Sequence, residues 1–189
     1  MAGNPENVDF WLDADVFFDF TRTAPSPTDL TADWDVLWLP AGLLNGDDGM
    51  TETRDESSED HFAWGSILVR TTYGQHKRTL SIVMLEDNAV TFGLINPGQS
   101  TRTSADGVIK SEVFVPQRKK IRMGMELRDG DKVKRRYIPT VELGEVSEIE
   151  TAENTPNQYS VTVQVYPDGN KKLWDEYKTD VAYVPPVGP

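Results

Sequence analysis

The chain has 189 residues, 38% of them hydrophobic, with 31 acidic and 19 basic side chains, a formal charge of −12 and no cysteine. That balance belongs to a globular domain with its own core. It excludes disulfides and thiolate chemistry, fits synthesis in the cytosol, and sets the protein against polyanionic nucleic acid. No apolar run approaches the roughly 20 residues of a membrane-spanning helix, and Met1–Glu6 lacks the basic-then-apolar order of a signal peptide.

Charge is unevenly placed. Residues 1–60 hold 15 acids against Arg22 and Arg54, a balance of −13, while residues 61–189 hold 16 acids and 17 bases, a balance of +1. Residues 1–12 read as an N-terminal arm that docks by Phe10 and Trp11. A domain is expected over 13–183, followed by an extended Pro-rich tail over 184–189. Residues 14–20 place Val16, Phe18 and Phe20 on one face at period two, the mark of a half-buried strand. Thr21 to Asp33, with Pro25 and Pro27, reads as a loop. Val36 to Pro40 is apolar on both faces and predicts a strand covered on both sides.

A long charged loop is expected over about 45–61, beyond the length of ordinary connections. Two apolar strands follow, Ser66 to Thr72 and Thr79 to Leu85, joined by a turn at Tyr73-Gly74-Gln75-His76. Residues 86–95 predict one short helix with an acidic start, ended by Asn96-Pro97-Gly98. Gln99 to Gly107 reads as a polar loop and Val108 to Val115 as a strand stopped by Pro116. Lys119 to Leu127 and Val133 to Val141 form a hairpin about Asp129-Gly130-Asp131-Lys132, with Pro139 marking an edge or bulge. Glu142 to Glu150 is a weak strand or a loop. Tyr159 to Val165 alternates cleanly, and Leu173 to Tyr177 begins a last strand or short helix. The fold class is mainly β, a β-sandwich or barrel of eight to ten strands with one flanking helix.

Signals for chemistry are sparse. His61 and His76 could join carboxylates in a zinc site, but loop or turn surface is the plainer reading. Asp47-Asp48-Gly49 lacks the ligand spacing of a calcium loop. No phosphate-binding glycine loop or Gly-x-Ser-x-Gly elbow occurs, so no catalytic, cofactor-binding or metal residue is assigned. Nine of the 19 bases lie between Arg118 and Arg136. They read as a nucleic-acid surface without stacking aromatics, as a solvated hairpin, or as the partner of a neighbour's acidic segment. On the last reading, Asp47, Asp48, Glu52, Asp55, Glu56, Glu59 and Asp60 form one side of a subunit interface. Arg135 and Arg136 are the candidate basic partners.

The order of segments resembles that of major tail proteins, the tail tube subunits of long non-contractile-tailed bacteriophages, especially those of actinobacteria. The likeness rests on Trp38-Leu39-Pro40-Ala41-Gly42-Leu43-Leu44 and Asp47-Asp48-Gly49-Met50-Thr51. It continues through Glu52-Thr53-Arg54, Trp64-Gly65, Val69-Arg70-Thr71 and Met84-Leu85-Glu86-Asp87-Asn88-Ala89. Arg135-Arg136-Tyr137-Ile138-Pro139 and Tyr159 to Gly169 extend it, so that it covers about 13–180. Gln99 to Gly107 and the Pro-rich tail depart from it. The resemblance implies a tail-tube β-sandwich or barrel that forms homohexameric rings, stacked into a conduit for DNA in the virion tail. It implies synthesis in the bacterial host cytoplasm, contacts with tape measure, tail terminator and tail-tip proteins, and no enzyme activity, cofactor or membrane. It also implies that the long loop, here about Asn45 to Asp60, is mobile in the free subunit and orders between rings. A binding or decoration module on the virion or cell surface is the alternative, with exposed aromatics as ligand contacts. A metal-dependent hydrolase using His61 and His76 is a third reading.

Overall fold

The computed structural model describes Pro5, residues 8–149, residue 151 and residues 153–180. The tail expected over 184–189 lies outside the described residues. Ten strands and one helix follow in order: β1 Asp13–Asp19, β2 Leu39–Pro40, β3 Met50–Ala63, β4 Ile67–Met84, α1 Ala89–Ile95, β5 Thr101–Ala105, β6 Val108–Glu112, β7 Lys120–Asp129, β8 Lys132–Val146, β9 Tyr159–Val165 and β10 Asp175–Lys178. One antiparallel sheet runs β2-β1-β7-β8-β9-β4-β3, with β10 also on β8, and β5-β6 is a separate hairpin. Along its other edge from β7, β8 carries β10 over Lys134–Tyr137 and β9 over Val141–Val146.

The sheet curls round one core. Val16 and Phe18 of β1 share a hydrophobic cluster with Leu80, Ile82 and Met84 of β4, although three strands separate them in the sheet. The segment after β2 spans the gap. Leu39 and Pro40 pair with Phe18 and Phe17, Ala41 donates to Val16 O at 2.8 Å and Leu85 donates to Leu43 O at 2.9 Å. Leu44 makes a bridge to Met84. The period-two residues Ile121, Met123 and Met125 of β7 and Val161 and Val163 of β9 point into this core. Each such buried aliphatic chain contributes about 1.5–3 kcal/mol. On β8 the core residues either side of the slip, Ile138 and Val141, stand three apart, because the ladder gains one residue opposite Ile121–Met123. Pro139 therefore marks a bulge, which supplies the missing step in the alternation.

Helix α1 begins one turn later than its acidic residues suggest. Asn88 is the N-cap, its side chain accepting from Val90 N and Thr91 N. Glu86 and Asp87 precede it and serve elsewhere: Glu86 accepts from Leu43 N at 2.8 Å, and Asp87 pairs with Arg102 at 2.6 Å. Val90 and Leu94, one helical turn apart, face the core.

The structure corrects several expectations. Val36 to Pro40 is not a doubly covered strand: Trp38 is buried, but Val36 is 88% exposed and only Leu39–Pro40 pair, at the sheet edge. The loop expected over 45–61 is mostly strand β3. The turn expected at Tyr73–His76 lies inside β4, where Gly74 sits at a register irregularity opposite Ser57. The polar loop at 99–107 is the first half of the β5–β6 hairpin. In the N-terminal segment Phe10 is 70% exposed. Trp11 is half-buried, and Asp9, paired with Lys178 at 2.6 Å, and the backbone bond from Leu12 to Arg128 O also hold the segment.

Candidate assembly surface

The long β3–β4 hairpin is the feature that the core does not explain. Arg78 of β4 pairs with Val165, the last residue of β9. Beyond it, Ile67 to Lys77 pair with β3 alone. That free portion is about 35 Å long at roughly 3.4 Å per residue. Its turn is Trp64-Gly65-Ser66, with φ of 86° at Gly65 and 61° at Ser66. Apolar side chains gather at this tip without cover: Trp64 is 100% exposed, and Phe62, Ile67, Leu68 and Val69 are exposed beside it. An apolar cluster of this kind on a projecting element marks a contact surface.

At the base of the arm a carboxylate and an aromatic ring organise the arginines. Glu52 of β3 accepts from Arg78 at 2.7 Å, Arg136 at 3.1 Å and Arg54 at 3.3 Å. Arg136 and Arg78 also lie over the Trp174 ring, at 4.4 and 4.9 Å from its centroid. Burial pushes the Glu52 carboxyl up, but hydrogen bonds from Arg136 and Arg54 and the nearby guanidinium charges outweigh it, so the group lies below its ordinary value. Arg136 thus meets an acid of the predicted stretch, but within its own chain, and it also bonds Glu176 of β10 at 2.7 Å.

Arg135 is placed very differently from its sequence reading. It is 4% exposed. Its guanidinium pairs with Glu126 at 2.6 Å, donates to Asp29 O at 2.9 Å and Ala32 O at 2.6 Å, and lies 5.1 Å from the Trp34 centroid. The Trp34 indole donates to the same Glu126 at 2.7 Å. Burial raises the Glu126 carboxyl, and the bonds from Trp34, Arg135 and Arg128 more than offset it, leaving a net lowering. Trp34 also stacks on Phe17 at 4.7 Å and meets Trp38 edge-on at 5.1 Å. A side chain at Gly124 would collide with the Trp34 ring. This network clamps the 24–38 loop to the outside of β7 and β8. Sequence reasoning missed it, since its members lie about a hundred residues apart; two tryptophans near one polar loop were the only signal.

The remaining predicted residues lie on the arm or just before it. Asp47 and Asp48 are exposed in the turn before β3, with Asp48 accepting from Asn45 at 2.6 Å. Asp55, Glu56, Glu59 and Asp60 are exposed along β3. The strand opposite supplies neighbours for three of them. Asp55 faces Lys77 in register, His76 Nδ1 lies 3.0 Å from Glu56, and Thr71 donates to Asp60 at 2.7 Å. His61 instead meets Thr72, at 3.0 Å. The two histidines are thus held separately on the arm. Among the described residues, no three His, Asp or Glu side chains gather to hold a metal.

A curled β core thus projects a two-stranded arm whose apolar tip its own chain leaves uncovered, as a contact surface would be. The family model described as phage tail tube protein matches residues 1–188, and the chain belongs to that family. It is accordingly a structural protein of the virion tail and not an enzyme. The comparison with curated proteins found no match.

Proposed function

We propose that the subunit assembles into rings, six to a ring, that stack into the tube of a long non-contractile tail. The Trp38–Leu44 and Asp47–Thr51 passages support a siphovirus of the kind that infects actinobacteria. Tape measure, terminator and tail-tip proteins complete the tail, and DNA passes through the lumen without specific binding. Self-association follows from the family; the ring number and the stacking are this reading's own.

The observation that carries it is the arm. A hairpin about 35 Å long whose tip exposes Trp64, Phe62, Ile67 and Leu68 has the length and chemistry to reach a neighbouring subunit. Large apolar groups at such a tip become anchors once a partner desolvates them. On this reading Asp55, Glu56, Glu59 and Asp60 rim the contact between rings, and Asp47 and Asp48 lie at its base. Arg135 and Arg136 act indirectly, by fixing the 24–38 loop and the root of the arm. Negative-stain electron microscopy of concentrated protein tests the reading. Tubes of uniform width with a central channel are expected. A protein that stays monomeric and does not enter virions overturns it.

A further inference from the structure

Two short segments stand exposed on the subunit with opposite charge and the same apolar content. The first is 33–39, where Asp33 and Val36 are exposed, Asp35 is half-buried, and Leu37 and Leu39 are 44% and 42% exposed. No base occurs between Asp29 and Asp48, a stretch holding five aspartates. The second is 113–119, where Val113, Phe114 and Val115 are 61%, 50% and 85% exposed and Arg118 and Lys119 follow, also exposed. Neither Arg118 nor Lys119 makes a hydrogen bond or ion pair among the described residues.

Both segments are tied to the body of the subunit. Trp34 and Trp38 pin the first to the outer aromatic cluster, and Trp38 N donates to Asp35 O at 2.8 Å. Phe114 N donates to Ser100 Oγ at 3.0 Å and Gln117 N to Pro97 O at 2.7 Å, which pins the second. Side chains fixed before contact lose less freedom on binding. Read in opposite directions, the two segments match in order. Asp33 falls opposite Lys119, Asp35 beside Arg118, and Leu37 and Leu39 opposite Val115 and Val113.

We infer that segment 33–39 of one subunit docks on segment 113–119 of a second copy of this chain. Apolar residues supply the contact and the Asp33/Asp35 to Arg118/Lys119 charges set its register. The inference rests on the self-assembly proposed above but concerns a contact separate from the arm. Contacts between unlike segments build rings or filaments.

A charge swap tests it. One variant carries Arg118→Glu and Lys119→Glu. The other carries Asp33→Lys and Asp35→Asn, the asparagine keeping the oxygen that accepts from Leu37 N at 2.9 Å. Self-association is followed by analytical ultracentrifugation, with thermal unfolding as the folding control. Each variant alone is expected to associate at least about tenfold more weakly than wild type. An equimolar mixture of the two should recover, because every contact can then pair opposite charges. Wild type that assembles while both variants assemble equally well, or a mixture no better than either variant alone, overturns this docking and leaves the tube reading standing. Wild type that neither self-associates nor enters virions removes both.

Discussion

The two ends of strand β4 share a ladder with β3 but have opposite surroundings. At Leu80, Ile82 and Met84 the side chains are at most 3% exposed, packed against β9, β1 and the helix. At Ile67, Leu68 and Val69 the same kinds of residue stand in solvent. Strand β3 pairs with β4 from Ile67 to Ile82 with two register shifts, while β9 pairs only with the inner region, Arg78 to Met84. A second ladder, to β9, and burial therefore distinguish the inner end from the outer one. The lower half adds to the stability of the fold. The upper half contributes little to it, and the proposed assembly gives its apolar residues a surface outside the subunit.

That contrast can be broken or sharpened by substitution. The largest loss of stability is expected from Arg135→Met, which takes one of its two guanidinium partners from Glu126 in a nearly dry site and the donor from Asp29 O and Ala32 O. Breaking a buried ion pair costs about 3–5 kcal/mol, and urea unfolding would read it. Ile138→Ala, a cavity in the core, should cost about 2–5 kcal/mol by the same measurement. If either variant unfolds like wild type, the division between body and arm is misplaced. Phe62→Ser with Trp64→Ser should move stability by no more than about 0.5 kcal/mol while abolishing tube formation under the microscope. A large loss of stability there would show that the tip packs within its own chain.

Acid should weaken the body. The carboxyls of Glu52 and Glu126 lie below their ordinary value of 4.5 in the folded state. Their stabilisation is therefore complete above that value and is lost as pH falls through the lower folded value. Thermal unfolding between about pH 5 and 3 should show a steeper decline for wild type than for Glu126→Gln, and equal slopes would refute the assignment. The smallest effect is expected for Glu56→Gln, whose partner His76 is exposed on the arm. An exposed pair of this kind contributes about 0–1 kcal/mol, so the thermal midpoint should hardly move.

Much of the body was legible in the sequence because its strands are half-buried and alternate accordingly. Val16 and Phe18, the run from Tyr159 to Val165, the Asp129–Lys132 turn and the Pro139 bulge all carry local signals that the structure retains. The mainly β class and the single short helix follow from them. The arm was not legible as a hairpin. With neither face covered by its own chain, β3 shows no apolar alternation, and its charges and serines imitate a loop. Gly74, taken for a turn, marks an irregularity inside β4. The pairing of charges was equally hidden. Opposite charges at Arg135 and Arg136 and along residues 47–60 suggested a meeting, but only the folded sheet decides which partners lie within reach. It gives Arg135 to Glu126 across the β7–β8 ladder and Arg136 to Glu52 at the root of the arm. Sequence by itself determined the half-buried strands of the body and the family, since those signals are periodic or local. Tertiary structure decided which side chains are spent inside the subunit and which remain for a neighbour, because proximity between distant residues is set by the closing of the sheet.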